Sequence, residues 1–448
     1  MTQKLSIRRY EAYKNSGIEW LGEVPETWGI FHLKRLSQKI TDGAHTSPDL
    51  SSSDYPFLTV VNLNDGKLDF KNCLFTSGLD YKQLLRNGCQ PKKYDVLYSK
   101  DGTISETVVI DEDRNFVVGS SFIIVRPQPK TSNSNYLCYL LSSAIMRYQA
   151  RIYVKGASLP RISIFNIAKL VAISPPLFEQ RAIAAYLDTQ TAQLDRKIEL
   201  LGQKATQYGK LKQSLINETV TRGLDKNVGM KDSGVEWIGE MPAHWDIRRL
   251  KELSDIQNSI VDKKSHEHET PIQLCNYVDV YKNEFIDASL DFMWATADKS
   301  EIKRFAIKKN DVFITKDSET CDDIAIPALA TESLDGVLCG YHLARFRTND
   351  KVLLGTYLFR LFQSKSYGFR FVISAKGITR VGLGQSAIAD SLTPVPPLAE
   401  QQAIATYLDS KTAHIDRIVA TINSQIDKLK ELRKALINDI VTGKIKVA

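Results

Sequence analysis

The sequence predicts an α+β chain: two tandem α/β domains, each followed by a long helix, with the two helices able to pair as an antiparallel coiled coil of pseudo-two-fold symmetry. Three observations carry this expectation. The first is a duplication. Gly17-Ile-Glu-Trp-Leu-Gly-Glu-Val-Pro-Glu-Thr-Trp28 returns as Gly234-Val-Glu-Trp-Ile-Gly-Glu-Met-Pro-Ala-His-Trp245. Pro175-Pro-Leu-Phe-Glu-Gln-Arg-Ala-Ile-Ala-Ala-Tyr-Leu-Asp188 returns as Pro396-Pro-Leu-Ala-Glu-Gln-Gln-Ala-Ile-Ala-Thr-Tyr-Leu-Asp409. The offset grows from 217 residues (17 to 234) to 221 (175 to 396), so the second copy carries a net insertion of four. Solenoid repeats run about 20–50 residues, so this period marks whole domains.

The second observation is a series of short runs rich in Val, Ile, Phe and Tyr bounded by Asn, Gly and Asp, which favours strands. In the first half these are Tyr55–Leu63, Asp95–Ser99 and Phe116–Arg126; Val312–Thr315 and Gly336–Arg347 are their counterparts in the second. A short helical pattern follows each set, at Asn135–Ser143 and Thr356–Ser364. The third observation is a pair of long amphipathic stripes. Leu194, Ile198, Leu201, Ala205, Tyr208, Leu211, Leu215 and Thr219 are matched at an offset of 221 by Ile415, Val419, Ile422, Ile426, Leu429, Leu432, Leu436 and Ile440. Spacings of three and four define one helix face, close to a coiled-coil seam. Each stripe could dock on its own domain, or the two could pack on each other as a spacer. The expected seam comprises Ile198, Leu201, Tyr208 and Leu215 with Val419, Ile422, Leu429 and Leu436. From Leu194 to Thr219 such a helix covers roughly 39 Å, near the roughly 34–36 Å of one turn of B-DNA. Gly202 and Gly209 should make the first helix the more easily frayed.

These elements divide the chain into a first α/β domain over 1–178, a first helical spacer over 179–226, a second α/β domain over 227–399 and a second spacer over 400–448. The net charge of +7 permits nucleic-acid binding without establishing it. Six scattered cysteines show no C-x-x-C spacing, which disfavours a zinc ribbon and suits a reducing compartment. The N-terminal residues lack the apolar stretch of a signal peptide, and no apolar window approaches the length of a membrane span. A cytoplasmic protein is expected.

Readings as an enzyme fare poorly. Ser174-Pro-Pro-Leu177 imitates an amino-methyltransferase motif but lacks its amide and its aromatic, and Val395-Pro-Pro-Leu398 lacks even the serine. A rigid turn leading into a helix is the better reading, with Glu179 and Glu400 near the positive helix N-terminus. Asp291, Glu301 and Lys303 have no counterpart in the first half, and His266-Glu-His268 lacks further ligands. No catalytic or metal-binding residue is therefore expected.

The ends of the two halves match closely, whereas 38–94 and 255–310 align poorly. Marks in register survive between them: Asp95 with Asp311, Gly119 with Gly340, Arg126 with Arg347. A common frame with a divergent interior suggests two modules doing one job on different targets. The opening Gly-Ile-Glu-Trp-Leu-Gly-Glu-Val-Pro-x-x-Trp signature, the Pro-Pro-Leu-x-Glu-Gln block and the closing Leu-Ile-Asn-x-x-Val-Thr closely resemble those of Type I restriction–modification specificity (S) subunits. Both copies carry them, and the resemblance covers essentially the whole chain. Two departures are small: Phe178 stands where Ala399 does, and Arg222-Gly223 where Gly443-Lys444 does.

The resemblance implies a non-catalytic subunit. Each divergent region would be a target recognition domain reading one half of an asymmetric bipartite site on double-stranded DNA, with the helices setting the gap. The chain would dock two modification (methyltransferase) subunits, and restriction (translocase/nuclease) subunits would join. The chain itself would hold no cofactor; its partners would use S-adenosylmethionine, and ATP with magnesium. Trp20, Glu179, Gln180, Trp237, Glu400 and Gln401, all in the repeated frame, are the residues expected to meet partner subunits, although repeated tryptophans are more often core anchors. The rival expectation is a coiled-coil assembly scaffold that never reads DNA.

DNA contacts need cations for phosphates and polar groups for base edges. Two loops per half qualify, although ordinary solvated turns would look alike. The first pair is Ser99–Thr103 and Thr315–Glu319, offering Lys100, Asp101 and Thr103, and Lys316, Asp317 and Glu319. The second is Lys155–Arg161 and Lys376–Arg380, offering Lys155, Ser158 and Arg161, and Lys376, Thr379 and Arg380. The shared lysines suit phosphates; the residues that differ, Arg161, Arg380 and Glu319, suit bases.

Overall fold

A computed structural model describes residues 8–64, 66–154 and 160–447. The chain forms two compact units. One comprises the described residues up to Leu201 together with those from Ser424 onward; the other runs from Gly202 to Asn423. Each unit thus contains part of both long helices.

In the first unit, a mixed core is built on a four-stranded antiparallel sheet. Its strands are β1 (Ser37–Asp42), β2 (Val96–Ser99), β3 (Thr107–Val109) and β4 (Phe122–Pro127), in the order β3-β2-β4-β1. Every residue of β2 is buried, so Val96-Leu97-Tyr98 reads as a continuous apolar run rather than an alternation. Helices α1 (Ser134–Ser142) and α2 (Ala144–Tyr153) follow. Asn133 caps α1 by accepting from the Tyr136 amide. The strand Val171–Ser174 then leads through Pro175-Pro176 into α3 (Leu177–Arg222), which runs unbroken through Gly202 and Gly209. A smaller sheet pairs Val117–Val118 in parallel with Tyr55–Leu58, which pairs antiparallel with Leu74–Thr76. The predicted strand over 55–63 therefore stops at Leu58, where the chain turns through a short 3-10 segment closed by Thr59 and Asn62.

The second unit repeats this plan. Strands β5 (Ser254–Asn258), β6 (Phe285–Ile286), β7 (Val312–Thr315), β8 (Pro327–Ala330) and β9 (Leu343–Thr348) form a sheet in the order β5-β9-β7-β8-β6. It is the first unit's order with one added edge strand. The smaller sheet again contains a parallel pair, Thr270–Cys275 with Leu334–Cys339. Helices α4 (Gly355–Phe362), α5 (Lys365–Ser374) and α6 (Leu398–Val441) close the unit's series. The regions 38–94 and 255–310, which resist alignment, thus supply strands to the same sheet order.

Two of the three marks that kept register turn out to be partners. In the first unit Arg126 grips Asp95 with two hydrogen bonds of 2.8 and 2.7 Å. In the second Arg347 grips Asp311 at 2.8 and 2.6 Å. Both carboxylates are fully buried, and such a pair is costly to break because one charge would be left without its partner.

The long helices pair antiparallel within each unit, and their ends also dock on the unit's core. In the first unit Ile183 and Leu187 of α3 share a core with Ile437, Ile440 and Val441 of α6, and further along Arg433 bonds Asp195 at 2.9 Å. In the second, Ile216 and Val220 share a core with Ile404 and Leu408, and Lys212 bonds Asp416 at 2.8 Å. Ile198, Leu201, Tyr208, Leu215, Val419, Leu429 and Leu436 are half-buried and Ile422 is buried. The predicted stripe needs one correction. Leu211 and Leu432 point to solvent, and the seam position is taken by the next residue, Lys212 or Arg433. With that change both stripes alternate four and three without exception, as a 3.5-residue repeat demands.

The long helices end alike. Gly223 and Gly443 both have a left-handed backbone (φ +74° and +76°), and each lies against a tryptophan, Trp245 or Trp28. A Cβ on Gly443 would meet Pro25 at 2.4 Å. The shift between Arg222-Gly223 and Gly443-Lys444 thus brings the same kind of glycine cap one residue earlier in the second copy.

Candidate DNA interface

In each unit the arginine that closes the second predicted loop, Arg161 or Arg380, meets the first loop at the end of a central strand. β2 runs into Lys100 and Asp101, and Asp101 forms an isolated antiparallel bridge with Arg161. Arg161 also holds Asp101 through its side chain, with bonds of 2.8 and 2.9 Å. β7 runs into Lys316 and Asp317, and Asp317–Ser318 pairs with Val381–Gly382. Arg380 reaches Asp317 at 3.1 Å. The Lys376 loop is closed by mutual backbone hydrogen bonds between Lys376 and Gly382, of 3.0 and 2.9 Å. Gly377 makes this closure feasible: its φ is +141°, and a Cβ there would lie 1.9 Å from the Arg380 carbonyl oxygen.

The structure corrects several roles expected for these loop residues. Lys100 is 3% exposed and its ammonium group sits 2.8 Å from Asp42, so it is not free to take a phosphate. Asp101 is buried with both carboxylate oxygens on Arg161, and it serves to position that guanidinium. Asp317 is shared in a similar way, between the His342 ring at 2.6 Å and the Arg380 guanidinium at 3.1 Å. Lys316 is half-buried over the Tyr341 ring, 4.6 Å from its centroid, and burial lowers its pKa. The solvent-facing groups are Thr103, Arg161, Glu319, Lys376, Thr379 and Arg380. Lys155 and Ser158 lie outside the described residues.

Sequence reasoning missed the histidines. His45 bonds Asp42 at 2.8 Å, beside Lys100, and His342 bonds Asp317 beside Arg380. Each unit therefore presents one carboxylate shared between a histidine and a cation, but built from non-equivalent positions. No spacing in the sequence signals this, because His45 comes from the unaligned middle and His342 from the turn before β9.

The residues of the repeated frame expected to meet partner subunits are mostly internal, which is a second correction. Gln180 and Gln401 are buried. The Gln180 amide oxygen accepts from the Asn133 backbone N–H at 2.8 Å, and its nitrogen donates to the carbonyls of Thr131 and Pro175 at 2.8 and 2.9 Å. Gln401 repeats all three bonds, with the Leu354 N–H and the Val352 and Pro396 carbonyls, each at 2.8 Å. Glu179 is buried and accepts from the Trp28 indole at 3.2 Å and from the Tyr10 hydroxyl. Burial and then this carboxylate push the Tyr10 pKa up. Glu400 accepts from the Trp245 indole at 3.0 Å and from His244 at 2.8 Å. These side chains fasten each long helix to its domain. Trp20 remains about one-third exposed, and Trp237 packs on Tyr367 under Arg370.

Ser174-Pro-Pro-Leu177 is the turn between a strand and α3, with the Ser174 hydroxyl accepting from Gln180 at 3.1 Å. Among the described residues, no three His, Cys, Asp or Glu side chains converge as metal ligands. No described helix is long and apolar enough to cross a membrane.

The model of the Type I restriction modification DNA specificity domain matches twice, over residues 25–207 and 242–428. The chain belongs to that family. It is 22% identical over 431 residues to the type I restriction enzyme MjaVIII specificity subunit of Methanocaldococcus jannaschii, covering 95% of this chain and 94% of that one. Among solved structures, a chain from work on complex assembly and conformational transition of the type I R-M system superposes with a TM-score of 0.67 at 15% identity, covering 93% of this chain and 98% of that one. The HsdS subunit from Thermoanaerobacter tengcongensis superposes with a TM-score of 0.50 at 15% identity, with 94% and 98% covered. The fold is therefore that of specificity subunits: two tandem target recognition domains, each joined to a long helix. The match of two domain models also places this specificity subunit's duplication at the level of whole DNA-specificity domains.

Proposed function

We propose that each unit reads one half of a bipartite, asymmetric target on double-stranded DNA and that the paired helices set the gap between the halves. The observation that carries this is the double juxtaposition of a strand-end loop with a second cationic loop, Asp101 with Arg161 and Asp317 with Arg380. An arginine whose fork is held by a carboxylate is pre-positioned for a bidentate contact to a guanine edge. The exposed residues around the two arginines differ, so the two half-sites differ. The chain has no chemistry of its own. It works in the cytoplasm with two modification (methyltransferase) subunits, which supply S-adenosylmethionine chemistry, and with restriction subunits that use ATP and magnesium.

The test is a methylome of a host with and without this chain. The expected result is a methylated motif of two unlike half-sites around a fixed non-specific gap, lost on deletion. A contiguous palindrome, or methylation indifferent to deletion, overturns the reading.

A further inference from the structure

Four large apolar side chains stand in solvent at matching places in the two units. Tyr148 and Ile152 of α2 are 53% and 63% exposed; Phe369 and Ile373 of α5 are 62% and 70% exposed. Each pair is spaced i,i+4, so its members share one helix face. Phe369 lies 221 residues after Tyr148, and Ile373 221 after Ile152. The opposite faces also correspond: Met146 and Ala150 are buried in the first unit, Tyr367 and Phe371 in the second. In the first unit Trp20, about one-third exposed, adds to the patch, its ring 6.3 Å from that of Tyr148. In the second, α5 begins at a groove of about 850 Å³ lined by Trp237, Lys365, Ser366 and the polar face of α3 around Gln213 and Asn217.

Single exposed apolar residues need no explanation. An aromatic and an isoleucine kept on one outward face in both units do, because side chains that stand in solvent are not held there by packing within the chain. What repeats must meet the same thing twice. That excludes bases, since the two half-sites differ. It also excludes phosphates, which need cations: Arg151 on α2 is answered by Val372 on α5. The position of the face narrows the partner further. Both helices end within eight residues of the arginines at the candidate interface, α2 at Tyr153 ahead of Arg161 and α5 at Ser374 ahead of Arg380.

We infer that the outward faces of α2 and α5 are a pair of equivalent docking patches for two copies of the methyltransferase subunit, one per unit, each seating that subunit beside the DNA-reading loops. This rests on the function proposed above. Aromatic and aliphatic anchors of this kind concentrate binding energy when a partner desolvates them.

The test uses the full chain reconstituted with its cognate modification subunit and followed by native mass spectrometry and titration. Wild type should assemble two modification subunits per chain. Phe369→Glu with Ile373→Glu should weaken one of the two binding steps by on the order of tenfold or more, with methylation lost from one half-site. Tyr148→Glu with Ile152→Glu should weaken the other step and affect the other half-site. Phe369→Tyr with Ile373→Val should restore wild-type assembly, which a folding defect would not allow. Unchanged affinity at both steps in folded Glu variants overturns this inference alone. A fall in duplex affinity of the chain without partners assigns the face to DNA and overturns it too. A wild-type chain that binds no modification subunit instead sinks the proposed function.

Discussion

The brace around Gln180 and Gln401 and the loop cluster around Arg161 and Arg380 obey opposite rules. At the brace the two units share three bonds, one amide oxygen on a backbone N–H and one amide nitrogen on two carbonyls, and only the first adds a fourth, to Ser174. At the loops only the logic is shared. A carboxylate holds an arginine, but His45 reaches Asp42 whereas His342 reaches Asp317, and Lys100 is buried on Asp42 whereas Lys316 lies on Tyr341. A buried brace is fixed by backbone groups that must be satisfied wherever the helix meets the domain. A solvent-facing loop has no such constraint and can follow its ligand.

The largest effect should come from the brace. Gln401→Ala leaves an N–H and two carbonyls buried without partners, which should cost about 3 kcal/mol or more of stability in denaturant titration. Gln180→Ala should cost at least as much, since it removes the same three bonds and a fourth to Ser174. A cost below about 1 kcal/mol for either would mean that the backbone relaxes or water enters, and the contrast between brace and loop would fail.

The loops should behave in the other way. Arg380→Ala removes a half-exposed side chain, so stability should barely change. Target affinity should fall by about 1–3 kcal/mol, with discrimination relaxed in one half-site only. Arg161→Ala should relax the other half-site. Binding of oligonucleotides with single base changes measures this directly. If either variant relaxed both halves, or weakened all sequences uniformly, the arginines would be phosphate contacts rather than readers.

This contrast also explains what the sequence made legible. The strands β2 and β7 and the long helices are legible because each leaves a periodic or repeated signature. Asp95 with Arg126, and Asp311 with Arg347, kept register across poorly aligned stretches because a buried ion pair cannot drift. The burial of Lys100 was not readable. Its partner Asp42 comes from an unaligned strand 58 residues earlier, and an exposed and a buried lysine look alike in a sequence. The sequence suggests Gln180 and Gln401 as docking residues although both are buried, because repetition alone does not tell an inward-facing residue from an outward-facing one. The i,i+4 pairs on α2 and α5 were invisible for the opposite reason: an outward aromatic and isoleucine read as core until their exposure is known.

The smallest effect belongs to the helix seam, where the two units carry the same ion pair in exchanged roles. Asp195 of α3 meets Arg433 of α6 in the first unit, and Asp416 of α6 meets Lys212 of α3 in the second. The cations occupy the seam position that a pattern of apolar residues assigns to Leu211 and Leu432. Both carboxylates are about half exposed, so each pair should contribute less than about 1 kcal/mol. Arg433→Glu should therefore destabilise only slightly, and adding Asp195→Lys should recover the loss. Replacing Lys212 and Arg433 by leucine should leave the fold at least as stable, because a hydrophobic seam residue avoids the desolvation of a charge. It should also weaken the chain's preference for one helix register, since a charged residue at a seam position penalises slipped pairings that leave it without its carboxylate. The measurement is the gap in the methylated motif. A double-leucine variant that methylates sites of more than one gap length would tie this ion pair to register, and a single unchanged gap would limit it to its small electrostatic contribution.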